Sequence, residues 1–209
     1  MIYQEQQLSR LSQKSITTLI QKMLLIATAF IFANTAMAAD AAAKQMKVKK
    51  IMQEQIKLMK PQLQKKVKAL SPKTKKSLMK ILMQHNRYSN TATLRQVMTE
   101  VLADYQSMLA GIMTDNPEQT ADSAMRLANH RIPVGGLLPY MGLENINDER
   151  LAVLETFNDS VEGNAKQLAK AAQSGDMGKA ASLVGPISTG CVGCHAVFRS
   201  KPGQSNLLR

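Results

Sequence analysis

Thr93-Leu-Arg-Gln-Val-Met-Thr-Glu-Val-Leu-Ala-Asp-Tyr-Gln-Ser-Met-Leu-Ala-Gly-Ile-Met113 is the stretch that decides the fold class. Leu94, Val97, Met98, Val101, Leu102, Tyr105, Met108, Leu109 and Ile112 recur at helical spacing and form one continuous apolar face. Thr93, with Gln96 three residues later, has the form of a capping box at the helix start. Asp115-Asn116-Pro117 ends this helix and opens the next, with Asn116 as N-cap and Pro117 at the first helical position.

The same period continues downstream. A second helix, roughly 117–131, offers Ala121, Ala124, Leu127 and Ala128 as a small-residue face and is stopped by Pro133. A Gly/Pro-rich connection occupies 133–142, after which Asn147 caps a third helix with Leu151, Leu154, Phe157, Val161, Leu168 and Ala172 on one face. Gly175 supplies its C-terminal stop. The fourth helix runs from about Asp176 to about Ser200, and Pro186 predicts a kink or a late start within it. No segment alternates as a half-buried strand would. The expectation is an all-α chain whose residues 91–209 form an up-down-up-down four-helix bundle.

Upstream, residues 43–70 read as an amphipathic helix (Val48, Ile51, Met52, Ile56, Met59, Leu63, Val67, Leu70) that Pro61 should kink or divide. Ser71-Pro72 starts a shorter one with Leu78, Met79, Leu82 and Met83. Charge separates this part from the rest. Residues 39–90 hold thirteen lysines and Arg87 against Asp40 and Glu54, whereas residues 91–209 hold ten basic and twelve acidic groups, within a chain of net charge +12. The reading is a basic helical extension, 39–90, appended to the bundle as a helical hairpin.

Residues 1–38 carry Arg10, Lys14 and Lys22 ahead of an apolar run, Met23–Ala33, that is too short to span a bilayer. Ala36-Met37-Ala38 follows with the small-x-small pattern of a signal-peptidase site. The expectation is a signal peptide cleaved near Ala38 and a periplasmic protein.

Cys191-Val-Gly-Cys194-His195 holds the only two cysteines of the chain. Two thiols spaced by two residues and followed by histidine is the arrangement that attaches a c-type haem: each thiol adds to a vinyl group, and the imidazole binds the iron as proximal ligand. A zinc site would need a second ligand pair, and His85 and His130 have no finger spacing. A thioredoxin-like redox pair belongs to a βαβ context, which the pattern lacks.

From about Thr91 to Arg199 the chain resembles the cytochrome c′ family, including its low-spin His/Met relatives. The resemblance rests on Cys191-Val-Gly-Cys-His-Ala-Val-Phe-Arg199, where Phe and Arg follow the histidine at the family's offsets, and on Leu94-Arg95-Gln96-Val97-Met98 in the first helix. It implies one covalent haem c and its iron, with the residue facing the distal side of the haem in that first-helix segment. It also leaves a homodimer open, since bundles of many relatives pair through the first helix. The basic extension lies outside it.

In an up-down bundle the start of the first helix and the end of the fourth share one end, so the group opposite His195 comes from the first turns of the first helix. Met98 lies there; Met108 and Met113 are about 15 Å and about 22 Å further along at the helical rise. The simpler reading of Met98 is core filling, in a chain with fourteen methionines. Phe198 reads as haem packing. Arg199, one turn beyond His195, reads either as a haem neighbour or as a solvated arginine. His130, between Asn129 and Arg131, reads as a solvated helix terminus rather than a ligand. Ligation by His85 would require the extension to fold over the haem. Tyr140 and Met141 read as pocket walls.

The leading functional expectation is a periplasmic one-electron carrier, not an enzyme, because no acid, base or second cofactor accompanies the motif. A high-spin haem protein binding NO or CO is the alternative, and a haem-containing adaptor recruiting a partner through its basic arm is a third. The lysine-rich arm reads by default as a solvated helical face; as a functional surface it suits an acidic redox partner or, third, an anionic membrane surface. Nucleic acid is not expected, since Tyr88 is the arm's only aromatic residue.

Overall fold

A computed structural model describes residues 40–199 and Leu207. The expected signal peptide and its cleavage point lie outside the described residues. The described residues are 75% helical, and among them there is no strand, only an isolated bridge between Tyr88 and Ile132. The chain divides into two units between Lys47 and Val48. Of the first, residues 40–47 are described, and they are helical.

Proline and capping side chains set most boundaries. In the second unit, residues 48–57 are helical and are called α1. Pro61 divides the upstream pattern as expected: Lys60 is extended and Pro61 opens α2, Pro61–Ala69. Ser71 accepts a hydrogen bond from the Thr74 N–H and starts α3, Pro72–Leu82. Helix α4, Leu94–Met113, begins with the full capping box of Thr93 and Gln96. Asn116 caps α5, Pro117–Ala128, which ends three residues earlier than its sequence pattern suggests. The turn between α4 and α5 is made by Asp115 at φ 50°, a left-handed conformation that a short polar side chain tolerates.

The third helix is not continuous. Asn147 caps α6, Asp148–Leu151; α7 follows at Leu154–Asn158, then one π-helical turn, Asp159–Gly163, and α8, Asn164–Gln173. Gly175, at φ 80°, ends this run as expected. The fourth is divided too, into α9, Met177–Ser182, and α10, Val184–Phe198. Pro186 sits in the first turn of α10, where a missing N–H costs least.

Two apolar cores result. The first joins Met108, Ala121, Ala124, Leu127, Ala128, Ala165, Leu168, Ala169, Ala172, Ala180 and Ile187. Its helices approach closely because the facing residues are small: a Cβ on Gly111 of α4 would lie 2.8 Å from the Thr120 backbone nitrogen of α5. Asp104 pairs with Arg126 at 2.7 Å, and Ser107 with Ser123 at 2.8 Å, as expected of an antiparallel α4–α5 hairpin. Leu102, assigned to the apolar face by its spacing, is 54% exposed, so the stripe facing the core is narrower than the sequence pattern.

The second core joins Met59, Leu63, Val67 and Leu70 with Met141, Ile146, Leu151, Leu154, Phe198 and Leu207. Helices α2 and α3 therefore share apolar packing with the 137–146 connection and the end of α10. Their polar groups add ties: Ser71 donates to Asp148, Ser77 to Glu155, and Lys80 pairs with Glu155. Lys65, Lys66, Lys68, Lys73 and Lys76 line the exposed sides of the same two helices or partly so, turned from the apolar residues that helical spacing sends inward.

Candidate functional site

The Cys-x-x-Cys-His motif lies on α10 after its Pro186-bearing first turn, so Cys191 and Cys194 are three residues apart on adjoining turns of one helix face. Both are free thiols. Cys191 packs against the first core and Cys194 against the second, so the motif spans the seam between them. Burial pushes the Cys194 thiol up to about 11, with Cys191 adding to the effect, and burial raises Cys191 as well. Both groups are neutral thiols at physiological pH.

Glycines bring α10 close to the interrupted third helix. A Cβ on Gly190 would fall 2.7 Å from Val161 and 2.8 Å from Ser160, and one on Gly193 would fall 2.8 Å from the Phe157 ring. Phe157 meets Phe198 edge-on, with ring centroids 6.5 Å apart, and Phe198 is buried in the second core. Asn158, the next residue along, is buried with neither side-chain amide atom hydrogen-bonded.

His195 is exposed on α10. Partial desolvation, then the Arg199 charge, holds its pKa below the ordinary histidine range. The imidazole is thus neutral near pH 7, the form that binds a metal. Arg199 is the exposed C-cap residue, and its N–H donates to the His195 carbonyl at 3.0 Å. Met98 is half-buried on α4, one position after the fully buried Val97, and belongs to neither core cluster. Further along α4, the Tyr105 hydroxyl hydrogen-bonds Ser188 of α10 at 2.6 Å. Tyr140 and Met141 are both buried; Met141 joins the second core, and the Tyr140 hydroxyl donates to the Val134 carbonyl.

A second group of chemistry-bearing side chains escapes sequence reasoning. His130 is not a solvated helix terminus: its side chain is 19% exposed and its Nε2 lies 3.3 Å from Oε1 of Glu162. His85 Nε2 lies 3.3 Å from the same oxygen, with its side chain 1% exposed. The two imidazoles are 4.8 Å apart. Burial opposes charge on His130, but the hydrogen bond and charge of Glu162 outweigh it and raise the pKa. Burial likewise opposes charge on Glu162, and the two histidines outweigh it and lower the pKa. A charged residue in the stripe Asn158, Glu162, Ala165, Ala169, all buried, was the available signal.

No family model, no curated protein and no solved structure matches the chain.

Proposed function

We propose that the chain is a periplasmic c-type cytochrome similar to the cytochrome c′ family, a one-electron carrier with a single haem. In this reading Cys191 and Cys194 hold the haem through thioethers, His195 is the proximal iron ligand and Met98 the distal one. The bundle is up-down-up-down, formed by α4, α5, the α6–α8 run and the α9–α10 run. A signal peptide, 1–38, and a basic extension, 39–90, precede it.

The Tyr105–Ser188 hydrogen bond carries this reading. Met98 lies seven residues before Tyr105, and His195 lies seven after Ser188. In antiparallel helices these steps run the same way, each about 10.5 Å at the helical rise. Seven residues is close to two turns, so both side chains return nearly to the faces that carry the hydrogen-bonded pair. The register therefore favours Met98 and His195 at one level, across from each other. Met108 and Met113 fall on the far side of Tyr105.

The residues of α10 suit a covalent haem. Its thiols are free and carry no bridge. The stretch Met177–Phe198 has a mean hydropathy of 1.3 over its most apolar window, only 22% of that window is buried, and Val192 is 68% exposed. That is apolar surface in want of a cover. The unpartnered amide of Asn158 leaves a donor and an acceptor available on a segment packed against this helix. A bound haem supplies an iron that takes up and gives back one electron. The chain's part is to present a neutral imidazole at His195, to hold a positive charge beside it at Arg199, and to pack Phe198 against the ring system. A thioether ligand from Met98 raises the reduction potential. The exposed lysines of α2 and α3 suit an acidic redox partner.

An optical spectrum of the purified holoprotein, with and without carbon monoxide, tests the ligation. The expected wild-type ferrous spectrum is low-spin and six-coordinate, and Met98→Ala turns it high-spin and opens it to carbon monoxide. A high-spin wild-type spectrum that Met98→Ala leaves unchanged removes the His/Met reading and favours gas binding.

A further inference from the structure

We infer that His85, His130 and Glu162 form a binding site for a divalent transition-metal ion, separate from the haem motif, and that zinc is its fitting probe. The three side chains come from three places: the turn after α3, the segment just past the C-cap of α5 and the π-helical turn before α8. A metal there clamps the basic segment onto the rest of the unit.

The donor chemistry points to a cation. His85 Nδ1 faces the Ile81 carbonyl at 3.1 Å, and His130 Nδ1 faces the Arg131 carbonyl at 3.0 Å. Each neutral ring therefore keeps its proton on Nδ1, where it donates to a carbonyl, and turns the lone pair of Nε2 toward Glu162. This is the tautomer that outer-shell hydrogen bonds impose on metal-binding histidines. Two lone pairs and a carboxylate then converge, and one added proton can bridge only one of the two gaps. The strain of leaving them unbridged is visible in burial: Nε2 of His85 and Oε2 of Glu162 are inaccessible to solvent and have no hydrogen-bond partner. Buried polar atoms of that kind are rare and costly.

The two distances to Glu162 agree with a metal, and all three ligand atoms lie within 4.8 Å of one another. Both Nε2 atoms lie 3.3 Å from Oε1. A tetrahedral ion with bonds of about 2.0–2.1 Å to nitrogen and oxygen has ligands about 3.3–3.4 Å apart. Two imidazoles and one carboxylate suit zinc and its neighbours, whereas calcium and magnesium demand oxygen ligands. Three protein ligands leave a fourth position for a water or another ligand.

The backbone around the site is tied on both sides. The Asn86 N–H donates to the Asn129 side chain at 3.1 Å, and the Asn129 amide donates back to the Asn86 side chain at 2.7 Å. The Ile132 N–H donates to the Arg87 carbonyl at 2.8 Å, and the Ser89 N–H to the Ile132 carbonyl at 2.9 Å. These bonds fix the segments bearing His85 and His130 relative to each other. The π turn re-aims one residue of an otherwise α-helical run, and such turns concentrate at functional positions.

The test uses the purified full chain with its haem, treated with a chelator, dialysed, and titrated with zinc chloride. The expected result is one zinc per chain beyond the haem iron and a thermal midpoint that rises with zinc concentration. Zinc-edge X-ray absorption is expected to give a shell of nitrogen and oxygen at about 2.0–2.1 Å with imidazole scattering. His130→Asn and Glu162→Gln should each weaken binding by more than about 100-fold, beyond the loss caused by removing an outer-shell partner. No zinc uptake, equal affinity in wild type and both variants, or a shell containing sulfur overturns the proposal. Where either variant does not fold, the wild-type absorption shell and the zinc-dependent midpoint decide the matter alone.

Discussion

The core that takes in Cys191 is built from small side chains, and the core that takes in Cys194 from large ones. Alanines at 121, 124, 128, 165, 169 and 172 let α4, α5 and α8 approach closely, so the first core is held by proximity of helix surfaces. Leu63, Leu70, Ile146, Leu151 and Leu154 make the second by bulk, and they come from segments far apart in sequence. A core of small residues has no room to accept more volume, while a core of large ones cannot lose any without leaving a void. The same helix, α10, closes both, so a redox site there would sit between a tight wall and a bulky one.

The strongest test of this contrast removes volume from the second core. Leu63 is fully buried on α2, and Leu63→Ala is expected to cost about 2–5 kcal/mol, read as a lowered midpoint in urea. A loss below about 0.5 kcal/mol would mean that the basic helices are a loose appendage and that the second core is not one. The matching test adds volume to the first. Gly111→Ala puts a methyl group against the Thr120 backbone, which cannot move aside as a side chain can, and about 1–3 kcal/mol should be lost. Gly185→Ala is the control: nothing lies within 4 Å of that Cβ on α10, so the helix should gain up to about 1 kcal/mol. If the two glycine variants behave alike, close approach is not what holds the first core.

The contrast also separates what was legible in the sequence from what was not. Thr93 with Gln96, Asn116 before Pro117, Asn147, Gly175 and the breaks at Pro61 and Pro72 were readable because capping and proline effects act within a few residues. So was the placement of Cys191-Val-Gly-Cys194-His195 on the last helix, which follows from the helical pattern around it. The second core was not readable: the stripe of α2 announces an apolar face without naming what it meets, and its partners lie some eighty to a hundred and forty residues away. The π turn at Asp159–Gly163 leaves no mark in composition. His85 and His130, 45 positions apart, share no spacing rule with each other or with Glu162.

The smallest effect lies at the polar rim of the second core. Glu155 accepts hydrogen bonds from Lys80 and Ser77, and these, with the Lys80 charge, hold its carboxyl below the ordinary carboxylate range. The same carboxylate holds the Lys80 amine above its ordinary value. A carboxyl whose pKa is lowered on folding stabilises the native state above its unfolded pKa and loses that contribution as the pH falls through the folded one. An amine whose pKa is raised contributes below its unfolded pKa and loses that contribution as the pH rises through the folded one. The pair therefore adds stability from mildly acidic to mildly alkaline pH, and both groups are solvent-facing, so the amount is small and screened by salt. Glu155→Gln is expected to lower the urea midpoint slightly at pH 7 in low salt, and the gap to wild type should close in strong acid and in high salt. A gap that persists at pH 2–3 would mean that Glu155 acts through shape and hydrogen bonding rather than charge, and that α3 is held to α7 by the apolar contacts beneath it.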